Sequence, residues 1–258
     1  MLAYRSGIFP MSDSRDDPEI FWIEPRLRAI LPLDGLHLSQ SLARTLKRGK
    51  FDVTCNRAFA QVMDACAAPR RGEADEEGGS WISHRIQASY ENLHFLGHAH
   101  SIEVWREGEL VGGLYGVGFD RVFCGESMFS TVSDSSKVAL CWLVAALRRA
   151  GATLLDCQFL TPHLASLGAV EIPQKRYLAL LQAAQAHHSA DHSSTAGSST
   201  GSGSSGVGVG AGTGSAVGAA AGVPPLPDAF AALLDEAASA GLSSSPGKLI
   251  AQLLTQTS

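Results

Sequence analysis

The sequence predicts an α/β protein built on a mixed sheet with helices on both faces. Three observations carry that prediction. Residues 100–129, HSIEVWREGELVGGLYGVGFDRVFCGESMF, read as three strands joined by two tight turns, at EGE and around GFD, so the sheet begins antiparallel. The chain then alternates between an apolar helix, a strand, a short helix, a strand and a final helix, an order that adds parallel pairing. Finally, 45% of the 258 residues are hydrophobic, enough to bury a core.

Residues 1–36 carry several prolines and aromatics (IFPM, FWIEPRLRAILPLDG) and are expected to form a small irregular N-terminal unit. In LSQSLARTLKRG, Ser39 can cap a helix whose Leu38, Leu42 and Leu46 share a face and which Gly49 ends. FDVTC alternates as a strand, Asn56 is the expected cap of a helix through AFAQVMDACA, and EADEEGG reads as a charged loop. Ser83 caps RIQASYENLHFL, which Gly97 closes. After the three strands, Ser133 or Ser135 caps KVALCWLVAALRRAG. TLLDCQFL is a short apolar run expected to be a buried strand, Pro162 opens the short helix PHLASLG, and VEIP leads into the helix QKRYLALLQAAQ.

From about residue 193 to 222 the composition, SSTAGSSTGSGSSGVGVGAGTGSAVGAAAG, is that of a flexible coil that cannot bury enough apolar surface to fold. The predicted organisation is a small unit over 1–36, the main α/β domain over 37–186, a linker over 187–223, and a tail over 224–258. In the tail, Phe230, Leu233 and Leu234 stand at the spacing of a short helix.

A net charge of -5 excludes the global basic field that drives non-specific nucleic-acid binding, so any RNA contact must be a local patch. Five cysteines, Cys55, Cys66, Cys124, Cys141 and Cys157, with no CxxC pair, argue against a disulfide framework or a zinc ribbon and for thiols in a reducing compartment. No apolar run has the length of a membrane span, and the N-terminal stretch has no signal-peptide core, so a cytoplasmic protein without membrane contact is expected.

Some polar residues stand where apolar ones would be expected. Glu126 sits inside FCGESMFS beside Gly125, and a carboxylate stripped of water needs a partner. Asp156 and Gln158, at i and i+2 of LLDCQFL, are expected to share one strand face. The structural alternatives are a local ion pair for Glu126 and a loop hydrogen bond for Asp156. Arg44, Lys47, Arg48 and Lys50 form the best basic cluster, either a phosphate contact or a solvated helix face. His94, His98 and His100 raise the question of a metal, but no carboxylate or cysteine spacing completes a site, and none is expected.

The element order resembles the acyltransferase fold of the GCN5-related N-acetyltransferases. Those enzymes cradle the coenzyme A pyrophosphate with a glycine-rich loop at a helix N-terminus. The corresponding stretch here, SMFSTVSDSSK, has no glycine, so the acyl group is expected on a different carrier and no cofactor is implied. Longer blocks narrow the resemblance. GIFPM, WIS, LGHAHSIEVWREGELVGGLYGV, FCGESMFS, SKVAL, LLDCQFLTPHLASLGAVEIP and RYL, in that order between residue 3 and about 182, are similar to the leucyl/phenylalanyl-tRNA–protein transferase family.

The resemblance implies an aminoacyltransferase that moves leucine or phenylalanine, and by modest size discrimination methionine, from aminoacyl-tRNA to the N-terminal Arg or Lys of acceptor proteins, creating a degradation signal. A monomer is expected. The resemblance further implies that Glu126 meets an α-ammonium group and that Gln158 contacts the attacking amine. Asp156 would orient or polarise that system, and either Asp156 or water would take the proton. Leu114, Met128, Leu140, Leu143 and Leu155 correspond to the family's amino-acid pocket, although periodicity alone reads them as ordinary core. By residue chemistry Trp81 either stacks on the terminal adenine of tRNA or is a core tryptophan, and Tyr90 is a further candidate for the same cleft. The chain departs from the family at Met11, where FPM replaces FPW, at its start inside the helix before GIFP, which implies a truncated N-terminal unit, and in the Gly/Ser-rich tail. Two rival readings follow: a coenzyme A-dependent acetyltransferase of the same fold, and an inactive RNA- or peptide-binding remnant.

Overall fold

The computed structural model describes residues 1–69, 80–186 and 225–256. The predicted charged loop and the 187–223 linker lie outside the described residues. Strands β1 (Phe9–Met11) and β2 (Phe21–Ile23) pair with each other. The other seven are β3 (Leu27–Ile30), β4 (Asp52–Cys55), β5 (Ala99–Arg106), β6 (Glu109–Phe119), β7 (Val122–Ser130), β8 (Leu154–Gln158) and β9 (Val170–Pro173). They form one sheet in the order β4–β5–β6–β7–β8–β3–β9. It is the mixed sheet expected from the sequence, antiparallel except where β7 meets β8. Glu107 and Gly108, at φ +56° and +84°, make the β5–β6 turn, whose twist suits the flanking strands. The parallel pairing of β7 with β8 runs from Val122↔Leu154 to Cys124↔Asp156 and stops. Beyond it the two strands part.

The helices are α1 (Leu2–Arg5), α2 (Gln40–Lys47), α3 (Phe59–Ala67), α4 (His84–Phe95), α5 (Ser135–Arg149), α6 (Pro162–Ser166), α7 (Gln174–Ala186), α8 (Leu226–Ser239) and α9 (Gly247–Thr255). Ser39 and Ser83 cap α2 and α4 as predicted. Two caps differ. Asn56, at φ +60°, accepts the Ser101 N–H instead, and Ala58 precedes α3. The orphan N–H groups there, of Arg57 and Ala58, donate to the buried Glu103 carboxylate. A long-range carboxylate thus does what a local cap would do. Neither Ser133 nor Ser135 caps α5: Asp134 holds that position at φ +69° with no side-chain capping bond, and the Ser135 hydroxyl donates to the Val111 carbonyl.

Two apolar clusters lie on the sheet. One joins α5 to Leu42, Leu46, Leu114, Phe123 and Leu155, and also to Phe230, Leu233 and Ile250 of the tail. The other gathers Tyr4 and Phe9 with Phe59, Ile86, Tyr90, Tyr115 and Tyr177. Residues 1–36 are not separate from the sheet, because β3 lies between β8 and β9. The tail holds two helices rather than one, and both pack on the body. The Trp142 and Phe230 rings stand 5.1 Å apart, Arg149 pairs with Glu236, and Arg148 donates to the Leu253 carbonyl. Phe230 and Leu233 are buried as their spacing implied, while Leu234 stays 37% exposed. This explains why α5 is apolar nearly all round: α8 covers the face turned away from the sheet. Phe230→Ala is therefore expected to lower stability by about 3–5 kcal/mol, read as a shifted urea midpoint at unchanged slope.

Candidate active site

Glu126 owes its position to a register shift. Gly116 faces Gly125 and Tyr115 faces Ser127, so Glu126 is the extra residue of a β-bulge in β7. Bulges re-aim side chains, and this one sits just where β7 leaves β8. The Glu126 Oε2 atom accepts from the Tyr90 hydroxyl and from Gln158 Nε2, each at 2.8 Å. Tyr4 and Tyr90 share a 2.6 Å hydroxyl hydrogen bond behind it. Among the described residues, Oε1 of Glu126 has no partner, although the residue is only 8% exposed. Burial pushes this carboxyl up to about 7, with Asp156 adding to the shift, while the bonds from Gln158 and Tyr90 hold it down. Burial, and then the Glu126 charge, raise Tyr4 and Tyr90 well above the usual phenol range, so both remain hydrogen-bond donors.

Asp156 is fully buried, and each of its oxygens accepts two hydrogen bonds. Oδ1 accepts from Arg28 Nε at 2.8 Å and from the Gln158 backbone N–H at 2.9 Å. Oδ2 accepts from Arg28 Nη2 at 2.6 Å and from the Tyr177 hydroxyl at 2.9 Å. The guanidinium of Arg28 also lies 4.6 Å from the Phe9 and Tyr177 ring centroids. Burial alone would lower the Arg28 pKa, but the Asp156 carboxylate more than reverses this, and the group stays charged.

Gln158 departs from the simple alternation predicted for it. Its φ is +62°, a left-handed conformation that costs a non-glycine residue about 1–3 kcal/mol unless its surroundings impose it. In that conformation its N–H donates to Asp156 Oδ1. A carboxylate only accepts, so the amide nitrogen of Gln158 faces Glu126, and the carbonyl oxygen is left for a donor from elsewhere. The structure thus brings Glu126, Asp156 and Gln158 together at the parting of β7 and β8.

The remaining candidates are distributed around that point. Leu114, Leu140, Leu143 and Leu155 are buried in the α5 cluster, and Met128 packs partly buried against it. Glu126 and Asp156 are held instead by Tyr90, Tyr177 and Arg28. Tyr90 is 1% exposed and offers no face for a base, so its part is to hold Glu126. Trp81 is partly buried against the cluster of Tyr90, and Met11 packs there too. Arg44, Lys47, Arg48 and Lys50 lie on and just after α2, without a carboxylate partner among the described residues. They are not part of the Glu126–Gln158 cluster. His94 and His100 are engaged by the Ala99 carbonyl and by Asn56. Among the described residues no three metal-ligating side chains gather. No helix among them is long and apolar enough to cross a membrane.

Sequence reasoning missed Arg28, Tyr4 and Tyr177. For Arg28 a signal existed: it is a charge inside the apolar run LRAIL, the same sign that singled out Glu126. Tyr177 shares a helix face with Leu181 and Ala184 and reads as plain core.

The model of the family Leucyl/phenylalanyl-tRNA protein transferase matches residues 30–182, and the model of that family's N-terminal domain matches residues 1–26. A leucyl/phenylalanyl-tRNA–protein transferase of Novosphingobium aromaticivorans is 64% identical over 259 residues, covering 100% of this chain and 95% of that protein. One from Rhizorhabdus wittichii is 54% identical over 184 residues, covering 71% of this chain and 73% of that protein. A GCN5-related N-acetyltransferase-like protein of Streptococcus suis overlaps 57% of this chain and 60% of its own at 13% identity and a TM-score of 0.28, too little to carry an argument.

Proposed function

The chain belongs to the leucyl/phenylalanyl-tRNA protein transferase family, and from that membership we propose how it moves leucine or phenylalanine from aminoacyl-tRNA to a protein N-terminus. The acceptor in this reading carries an N-terminal Arg or Lys, and the chain acts as a monomer in the cytoplasm. The observation that carries the site assignment is the Glu126–Gln158 pair, held beside an unpartnered buried carboxylate oxygen.

An aminoacyl ester is already activated, so aminolysis needs alignment of the reactants more than a covalent enzyme intermediate. A neutral amine must reach the ester carbonyl, and only roughly a tenth of an ordinary α-amino group is neutral at physiological pH. In this reading Glu126 draws an α-ammonium group to its open oxygen, where removal from bulk water strengthens the attraction. Gln158, with its amide nitrogen bound to Glu126, turns its carbonyl oxygen to an N–H of the attacking amine. The nitrogen bonds to the ester carbonyl carbon, the carbon–oxygen bond to the tRNA ribose breaks, and the amine's proton passes through water to the departing ribose oxygen, because Asp156 has every lone pair occupied. Met128, partly buried at the margin of the cluster that holds Leu114, Leu140, Leu143 and Leu155, meets the leucyl or phenylalanyl side chain with those leucines packed behind it, and Trp81 stacks on the terminal adenine.

A coenzyme A donor is disfavoured by charge as well as by the missing glycines. Asp134 opens α5 with a carboxylate, where a pyrophosphate would need a free helix N-terminus. The test is transfer of label from Phe-tRNA to peptides starting with Arg, Lys or another residue. Transfer confined to the two basic termini supports the reading, and label taken from acetyl-CoA overturns it. Exchanging Arg44, Lys47, Arg48 and Lys50 for Gln is expected to weaken Phe-tRNA binding and to flatten the dependence of log affinity on log salt. The slope should fall by about 0.7–0.9 for each phosphate no longer neutralised. An unchanged slope removes the cluster from the interface.

A further inference from the structure

We propose that Arg28 is the positioning residue of this site: it immobilises Asp156, and Asp156 in turn locks Gln158 into the left-handed backbone conformation that points its amide at Glu126. The inference rests on the reading of Gln158 given above and adds a residue that touches neither substrate nor Gln158. Arg28 comes from β3, the strand that the N-terminal segment places beside β8. Its planar fork meets both oxygens of Asp156, its third nitrogen donates to the Gly7 carbonyl at 3.1 Å, and rings of Phe9 and Tyr177 pack on it.

The side chain belongs to a residue only 1% exposed, so it has no direct route to a substrate. What it controls is the direction of the Asp156 carboxylate. That direction decides whether Oδ1 is available to the Gln158 N–H, the bond that holds φ at +62°. Lysine would keep the charge but lose the two-point grip, since an ammonium is a point donor on a flexible stem.

The experiment is steady-state transfer of phenylalanine to an Arg-initiated peptide by wild type, Arg28→Lys, Tyr177→Phe and Phe230→Ala. Arg28→Lys is expected to lower kcat by about tenfold or more while KM for Phe-tRNA stays within about twofold. Tyr177→Phe, which frees the same carboxylate from its other side, is expected to lower kcat severalfold. Phe230→Ala loses stability at the packing of α8 on Trp142, outside the hydrogen bonds that join Arg28, Asp156, Gln158 and Glu126, and is expected to keep kcat, which separates positioning from loss of fold. A crystal structure of Arg28→Lys should show residue 158 returned to negative φ. An unchanged kcat in a folded Arg28→Lys or Tyr177→Phe overturns the proposal, as does a raised KM at constant kcat. If Arg28→Lys does not fold, Tyr177→Phe decides alone. If wild type itself transfers nothing, the functional reading has failed rather than this inference.

Discussion

Glu126→Gln is expected to lower transfer about 100-fold or more and yet to stabilise the protein at neutral and higher pH. The carboxyl is raised from an ordinary 4.5 to about 7, chiefly by burial. Between those values the folded state holds a proton that the unfolded chain releases, so folding stability falls as pH rises from 4.5 to about 7. Below that window Glu126 is neutral in both states and costs nothing. Above it the full penalty applies, about 3 kcal/mol. Glutamine has no charge to bury. The melting temperature of the variant should therefore match that of wild type near pH 4.5 and exceed it by several degrees at about pH 8. Transfer should fall by about 100-fold or more, since an ammonium group loses its counter-charge, while the amide oxygen at position 126 can still accept from Gln158. Melting curves at the two pH values and a transfer assay check this together. Equal melting temperatures at the higher pH would show that the carboxylate is not destabilised by its surroundings. The wild-type rate should likewise rise with pH through about 7, as Glu126 ionises.

Asp156→Ala should produce the opposite pattern, loss of fold as well as of activity. It leaves the Arg28 guanidinium buried at 1% exposure with no carboxylate beside it. Breaking such a pair costs about 3–5 kcal/mol, most of it the uncompensated charge. Gln158→Ala removes only an amide bonded to Glu126 and should lower kcat by about 100-fold with little change in melting temperature. Urea titrations and single-turnover transfer on the two variants separate the roles. If Asp156→Ala is as stable as wild type, Asp156 is not the structural anion described above. A base would lose rate alone, whereas Asp156 should lose stability first.

Local patterning made much of the fold legible. The Ser39 and Ser83 caps, the EGE turn and the β5–β6–β7 run are short-range features, decided within a few residues by backbone conformation and alternation. The caps of α3 and α5 were not legible, because Glu103 reaches the α3 N–H groups from another strand, and Ser135 is drawn to Val111 across the sheet. The tail looked separable because a Gly/Ser-rich stretch precedes it, and only packing shows that its Phe230 completes the surroundings of Trp142.

The sequence alone determined the family, the mixed sheet, and the three polar residues that do not belong in apolar runs, because burial of a charge leaves a mark in composition wherever it occurs. Only the tertiary structure decided what those residues do. Asp156 is neutralised by an arginine 128 positions away, Tyr90 holds a carboxylate rather than a base, and a one-residue bulge turns Glu126 toward Gln158. Each outcome depends on which long-range donor fills which lone pair, and that is fixed by strand register and chain crossing, quantities that no local window of sequence contains.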